Sequence, residues 1–307
     1  MIKMLEYSLA ARALTFGYSN ARVKAMKQSL IGQKEVAAMI EAKNIAEIFA
    51  ILERTAYRPD LVSGALAEGT IADQIELACT TNFSRTLATI LKISPKKARE
   101  EIKEMFEKYE INNIKLIITS KHMNEPKEKI AQLIMDTGIL KKATHNRMLD
   151  AKTVKECVSE LGGTKYGSLL QSKLADYTRE KQITPLIVAL DNYYYSAIPS
   201  IAKNPYGDTR IISSMLKSEA DAKNISTILR AKNDNIEPKK IMAMTSGLGN
   251  LRKEEIFEAA RQKSTEDAAK IFEKKFRLTN QIEAFKKTGS LIPIELALEK
   301  AVAAKGL

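Results

Sequence analysis

The chain has 307 residues, with 49 Lys and Arg against 37 Asp and Glu, a formal net charge of +12. Its 13 glycines and 8 prolines fall well below the roughly 12% usual in globular domains, which excludes a collagen and an ordinary turn-rich β-sandwich. With 45% hydrophobic residues it is no disordered linker, and without tryptophan its core is left to Ile, Leu, Ala, Met and Val. The composition predicts a mostly helical, soluble chain of two or three lobes.

The N-terminal stretch MIKMLEYSLAARAL carries Glu6 and Arg12 where a signal peptide needs apolar residues, so it reads as the start of a helix. Residues 34–54 space Val36, Met39, Ile40, Ile48, Phe49 and Leu52 at three- and four-residue steps, which predicts an amphipathic helix. Ser94-Pro95 opens a longer helix with a stripe of Ile102, Met105, Phe106, Tyr109, Leu116 and Ile117. IKLIIT (114–119) is the best strand candidate, but its upstream context is helical. Residues 151–161 form a short helix stopped by Gly162-Gly163. Thr184-Pro185 opens another, carrying Leu186, Leu190, Tyr193, Tyr194 and Ile198. A further stripe runs from Asp208 to about Lys232, and Glu237-Pro238 opens a short helix closed by Gly247. The apolar stretch 183–202 is interrupted by Pro185, Asp191 and Pro199 and fails as a membrane span.

Repetition is more informative than any one element. Leu52, Thr55 and Tyr57 match Leu161, Thr164 and Tyr166 as L-x-x-T-x-Y. An Asn-bearing helix lies upstream of each, with Asn20 and Asn113, and a third such segment carries Asn224 but lacks the L-x-x-T-x-Y ending. An Asn beside an apolar stripe has to be hydrogen-bonded, so each is expected to tie its helix to a neighbouring turn. Three helical units with Asn-bearing spines follow as the expectation.

The residues assemble no catalytic constellation. His122 and His145 lack partners at metal-ligand spacing, and no phosphate-cradling glycine loop is present. Cys79 and Cys157 form no C-x-x-C pair, which favours an intracellular chain, and Cys157 reads as core. In the Tyr193–Tyr195 run two rings are expected in the core and one at a surface. The basic residues are scattered and mostly within a turn of Glu, as in 96–110 and 252–263, the pattern of a solvated helical face. On these residues alone a helical-repeat scaffold, a basic nucleic-acid-binding protein and a small helical enzyme remain open beside a structural role in a larger assembly.

Five segments carry a resemblance: YSNARVKAMKQSLI (18–31), LERTAY (52–57), GGTKYG (162–167), LDNYYYSAI (190–198) and DAKNISTILRAK (221–232). In this order and spacing, over about residues 7 to 300, the chain resembles the C subunits of the archaeal-type (A/V-type) ATP synthases, counterparts of the d subunits of vacuolar proton pumps. The resemblance implies an all-helical, funnel-shaped protein of three lobes, here 1–95, 96–205 and 206–307. It implies a role without chemistry or cofactor. One copy would seat the central stalk on the membrane proteolipid ring, at the cytoplasmic side of the cell membrane, and bind no nucleic acid. The matched positions Asn20, Arg22, Tyr57, Asn113, Tyr166, Tyr194, Asn224 and Arg230 are expected to stabilise lobes. Members of this family continue into a Lys-Glu-rich final helix, whereas this sequence stops at AVAAKGL (301–307), which leaves a shortened member, a fragment or a third lobe that closes differently as the expectations.

Overall fold

A computed structural model describes residues 2–64, 69–196 and 209–305. Every regular element among them is helical, and none is a strand. IKLIIT lies inside one long helix, Lys96–Met123. Its isoleucines fall at helical spacing, and Ile114, Ile117 and Ile118 are fully buried on one face. Ile198 lies outside the described residues. No helix among the described residues is long and apolar enough to cross a membrane.

The chain divides into two compact units, Met1–Gly162 and Gly163–Leu307. In the first, the opening helix Ile2–Lys27 packs against Ile71–Ile93, where the Ser19 hydroxyl donates to the Ile93 carbonyl at 2.5 Å. Ser94 closes Ile71–Ile93 by donating its hydroxyl to the Ile90 carbonyl, and Pro95 rather than Ser94 holds the N-cap of Lys96–Met123.

The single helix expected over 34–54 is two helices, Gln33–Glu41 and Ile45–Leu52. Asn44 breaks it: extended at φ −156°, ψ 167°, its side chain accepts the Glu47 amide at 3.0 Å and starts a new helix. Asn satisfies a helix N-terminus better than it propagates a helix interior. The same hairpin recurs as Lys142–Asp150 with Val154–Ser159, and as Lys253–Arg261 with Thr265–Phe276. Thr153 accepts the Glu156 amide and Ser264 accepts the Asp267 amide, both at 3.1 Å. The three caps read AKN-x-x-E, AKT-x-x-E and QKS-x-x-D at 42–47, 151–156 and 262–267.

The second hairpin of the first unit packs against Lys96–Met123, and Met148, Val154, Cys157, Val158 and Leu161 are buried there. In the second unit, Thr209–Asn233 serves as the spine for the third hairpin and for the closing helix Ile292–Ala303, while Thr279–Thr288 packs against Thr265–Phe276 and Ile292–Ala303. Ile225, Ile228, Leu229, Ile256, Phe272, Ile282 and Ile294 share its core. The same unit contains Thr184–Ser196, where Tyr194 and Tyr195 are buried and Tyr193 is half-buried.

Candidate functional site

The polar chemistry of both units is concentrated on their spine helices. Glu110 and Asn113 are one helical turn apart on Lys96–Met123, and both are buried. Asn113 donates Nδ2–H to the Met135 carbonyl at 2.8 Å and accepts the Met135 amide on Oδ1 at 3.0 Å. This two-way pairing needs a carboxamide, because an aspartate lacks the donor and an aliphatic side chain lacks both groups. Glu110 accepts the Leu140 amide at 3.2 Å and the Thr137 hydroxyl, and its Oε1 lies 2.6 Å from His145 Nε2.

The arrangement returns on Thr209–Asn233 after a constant step of 111 residues, from 113 to 224 and from 140 to 251. Asn224 donates to the Ser246 carbonyl at 2.7 Å and accepts the Ser246 amide at 2.8 Å. Asp221 takes the place of Glu110, accepting the Asn250 and Leu251 amides at 2.7 and 2.8 Å and Asn250 Nδ2–H at 3.1 Å. Burial pushes the Asp221 carboxyl above its ordinary value of 3.8, against the opposing pull of these donors and of Lys275. The shorter aspartate draws its loop closer than Glu110 does. A Cβ on Gly249 would lie 2.0 Å from Asp221 Oδ1, so only glycine fits there. The matching Gly138 has open space around it but sits at φ +67°, a conformation that also favours glycine. Each spine thus carries an acid-x-x-Asn clamp that fixes the loop entering its hairpin.

The eight sequence-selected residues do not converge on one site. Asn20 and Arg22 stand exposed on Ile2–Lys27. Tyr57 is half-buried against Leu52, Leu61 and Ala78, where burial first, then Cys79 and Asp60, push its hydroxyl pKa up. Asn113 is in the first clamp, whose neighbour His145 became visible only once the fold brought it to Glu110 across 35 positions. In the second unit, Tyr166 is buried and meets Tyr193 edge-on at 5.9 Å, with the Lys165 ammonium 5.4 Å from the Tyr166 ring centre. Tyr194 lies against Tyr195 at 5.1 Å. Asn224 is in the second clamp, and Arg230 holds Glu295 in a two-pronged ion pair at 2.6 and 2.9 Å, joining the spine to Ile292–Ala303. Arg230 is largely exposed, so this pair contributes modestly to stability.

Sequence reasoning located Asn113 and Asn224 but missed the acids three residues before them and the repeated cap motif. The signal was present, because Asn113 to Tyr166 and Asn224 to Arg277 both span 53 positions. The L-x-x-T-x-Y ending of the third copy is replaced by Phe272, Lys275 and Arg277, where the last helix of the hairpin runs on to Phe276. The first copy is shorter because it has no counterpart of the helices Lys127–Ala131 and Pro238–Ala243.

Two cavities flank these features in the first unit. One of 430 Å³ is lined by Thr80, Ser84, Met135, Lys142 and His145, and one of 410 Å³ by Met26, Leu30, Tyr57, Arg85 and Ile90. Among the described residues no group of three His, Cys, Asp or Glu side chains is placed to hold a metal ion. The Cys157 thiol is pushed up to about 12 by burial, which makes it a core side chain and not a nucleophile.

The sequence pattern of the ATP synthase (C/AC39) subunit family matches residues 19–306. The chain belongs to that family. It is a structural, non-catalytic family of ATP synthase components. The A-type ATP synthase C subunit of Methanocaldococcus jannaschii is 25% identical over 295 residues, 95% of this chain and 74% of the relative. That of Thermoplasma acidophilum is 23% identical over 308 residues, 95% of this chain and 85% of the relative. That of Methanosphaera stadtmanae is 27% identical over 224 residues, 72% of this chain and 55% of the relative. The chain therefore spans about half the length of this last relative.

Proposed function

We propose that the chain is the central-stalk adaptor of a rotary A-type ATPase. In this reading one copy joins the stalk of the soluble ATPase head to the proteolipid ring at the cytoplasmic face of the membrane. It passes torque between ATP turnover and proton or sodium movement. Its residues form three lobes, 1–95, 96–205 and 206–307, arranged as a funnel. The observation that carries the reading is the family match over residues 19–306, in a chain whose capped hairpin recurs three times.

The physical features agree with such a part. A torque-bearing component has to resist shear within each unit, and the Asn113 and Asn224 clamps fix loops to spines through buried hydrogen bonds that are costly to break. The net charge of +12 suits docking beside acidic stalk residues and lipid headgroups. The test is affinity purification of the tagged chain from native membranes in mild detergent. Recovery of both the stalk subunits and the proteolipid ring supports the reading, and recovery of neither overturns it. A steep salt-dependent affinity for DNA or RNA would favour a nucleic-acid-binding role instead.

A further inference from the structure

The first hairpin differs from its two counterparts in what covers it. At its matched positions Val36 is 44% exposed and Ile40 79%, and Gln33–Glu41 has no buried residue. The same positions in the second hairpin are His145 and Leu149, 4% and 6% exposed. In the third they are Ile256 and Ala260, 2% and 0% exposed. In both later copies a spine helix fills the place. It presents a carboxylate to the loop amide of Leu140 or Leu251, followed by aliphatic residues four, seven and eight positions on. These are Ile114, Ile117 and Ile118 after Glu110, and Ile225, Ile228 and Leu229 after Asp221.

The amide equivalent to Leu140 and Leu251 is that of Ile31, which no carboxylate among the described residues holds. Its surroundings suit an anion. Lys24, Lys27 and Lys34 are exposed along the segment. Glu35, four residues on, is already turned onto the Gly32 amide at 3.1 Å. Glu255 makes the equivalent bond to the Arg252 amide at 2.8 Å in the third copy, where Asp221 is accommodated beside it. The connection into this hairpin is also short, since Lys27 is followed almost at once by Gln33, with no counterpart of the helix Pro238–Ala243.

We infer that the Val36–Ile40 face of the first hairpin docks an amphipathic helix of another protein of the complex, one carrying a carboxylate followed at four, seven and eight residues by aliphatic side chains. The carboxylate meets the Ile31 amide and the flanking lysines, and the aliphatic stripe covers Val36 and Ile40. The proposal rests on the adaptor reading for where that helix comes from, but not for the chemistry of the face.

Two experiments separate these layers. In the first, a peptide with the sequence Leu216–Asn233 of this chain, which carries the pattern itself, is titrated onto the full chain. Saturable binding is expected, weakened tenfold or more by Val36→Asp/Ile40→Asp in the chain and by Asp221→Lys in the peptide. Both chain positions are exposed, so the melting temperature should be unchanged. No binding, or binding indifferent to these changes, overturns the inference whatever the chain's cellular role. In the second, photoreactive benzoylphenylalanine at position 40 is activated in the membrane-bound complex and its adduct mapped. An adduct on a helix with the stated pattern in a stalk or ring protein is expected. An adduct on a second copy of this chain or on lipid overturns the inference. So does the absence of any adduct in a complex that still contains stalk and ring, an outcome that leaves the adaptor reading intact.

Discussion

The first and third hairpins share an architecture and differ in closure. Ile45, Ile48, Phe49 and Leu52 match Thr265, Ala268, Ala269 and Phe272 position for position. Ile45 is 42% exposed and only Leu52 is fully inside, whereas all four in the third copy are buried. The third copy therefore uses small alanines against a spine, and the first carries larger apolar side chains with less to cover them. Hydrophobicity alone does not close a hairpin. A spine with its acid and Asn does, because it supplies both the apolar stripe and the polar groups that the entering loop requires.

This contrast sets an order of expected effects. Phe272→Ala removes a fully buried ring and should cost about 4 kcal/mol, against about 2 kcal/mol for Leu52→Ala beneath the thinner cover. Thermal unfolding of the two variants checks it, and equal losses would break the comparison. Asn224→Ala leaves the buried amide and carbonyl of Ser246 unpaired and should cost about 2–3 kcal/mol. Asn20→Ala, on an exposed face, should stay within ~0.5 kcal/mol. A large loss from Asn20→Ala would mean that the first copy has a clamp of its own.

A smaller effect concerns pH. Burial raises the Asp221 carboxyl, so the folded state holds its proton more tightly than the unfolded state does. That contribution is fully present below the unfolded value near 3.8 and is lost as pH rises through the higher folded value. Relative to Asp221→Asn, the wild-type chain should lose stability as pH climbs through this interval, whatever the variant's absolute stability. Glu255 has the opposite sign. The Arg252 amide lowers its carboxyl below the ordinary 4.5, so its stabilisation is present above that value and is lost as pH falls through the lower folded one. Denaturant titrations across the acid range separate the two slopes.

The sequence showed the helices and the core stripes, because 3.6-residue periodicity and capping are local properties. Of the three asparagines it expected to tie spine helices to turns, only Asn113 and Asn224 do so, and Asn20 stands exposed. It did not show where the 34–54 stripe breaks, since the apolar spacing continues across Asn44 and only the cap geometry interrupts it. Pairings such as Glu110 with His145 and Arg230 with Glu295 join residues far apart in sequence. They depend on which faces the folded units bring together. The family resemblance was legible in short segments such as GGTKYG and DAKNISTILRAK, whose Tyr166 and Asn224 the fold buries. The docking face was not, because Val36 and Ile40 are apolar like their buried counterparts Ile256 and Ala260 in the third hairpin, and only exposure tells them apart.

Hydrogen exchange read along the whole chain tests the central claim most directly, first in the isolated protein and then in the assembled complex. In isolation, amides of residues 33–52 should exchange at least tenfold faster than those of 253–276. Assembly should slow the first set and leave the second unchanged. Equal protection of the two hairpins in the isolated chain, or no change at 33–52 on assembly, would contradict the view that the first hairpin awaits a helix the other two already have.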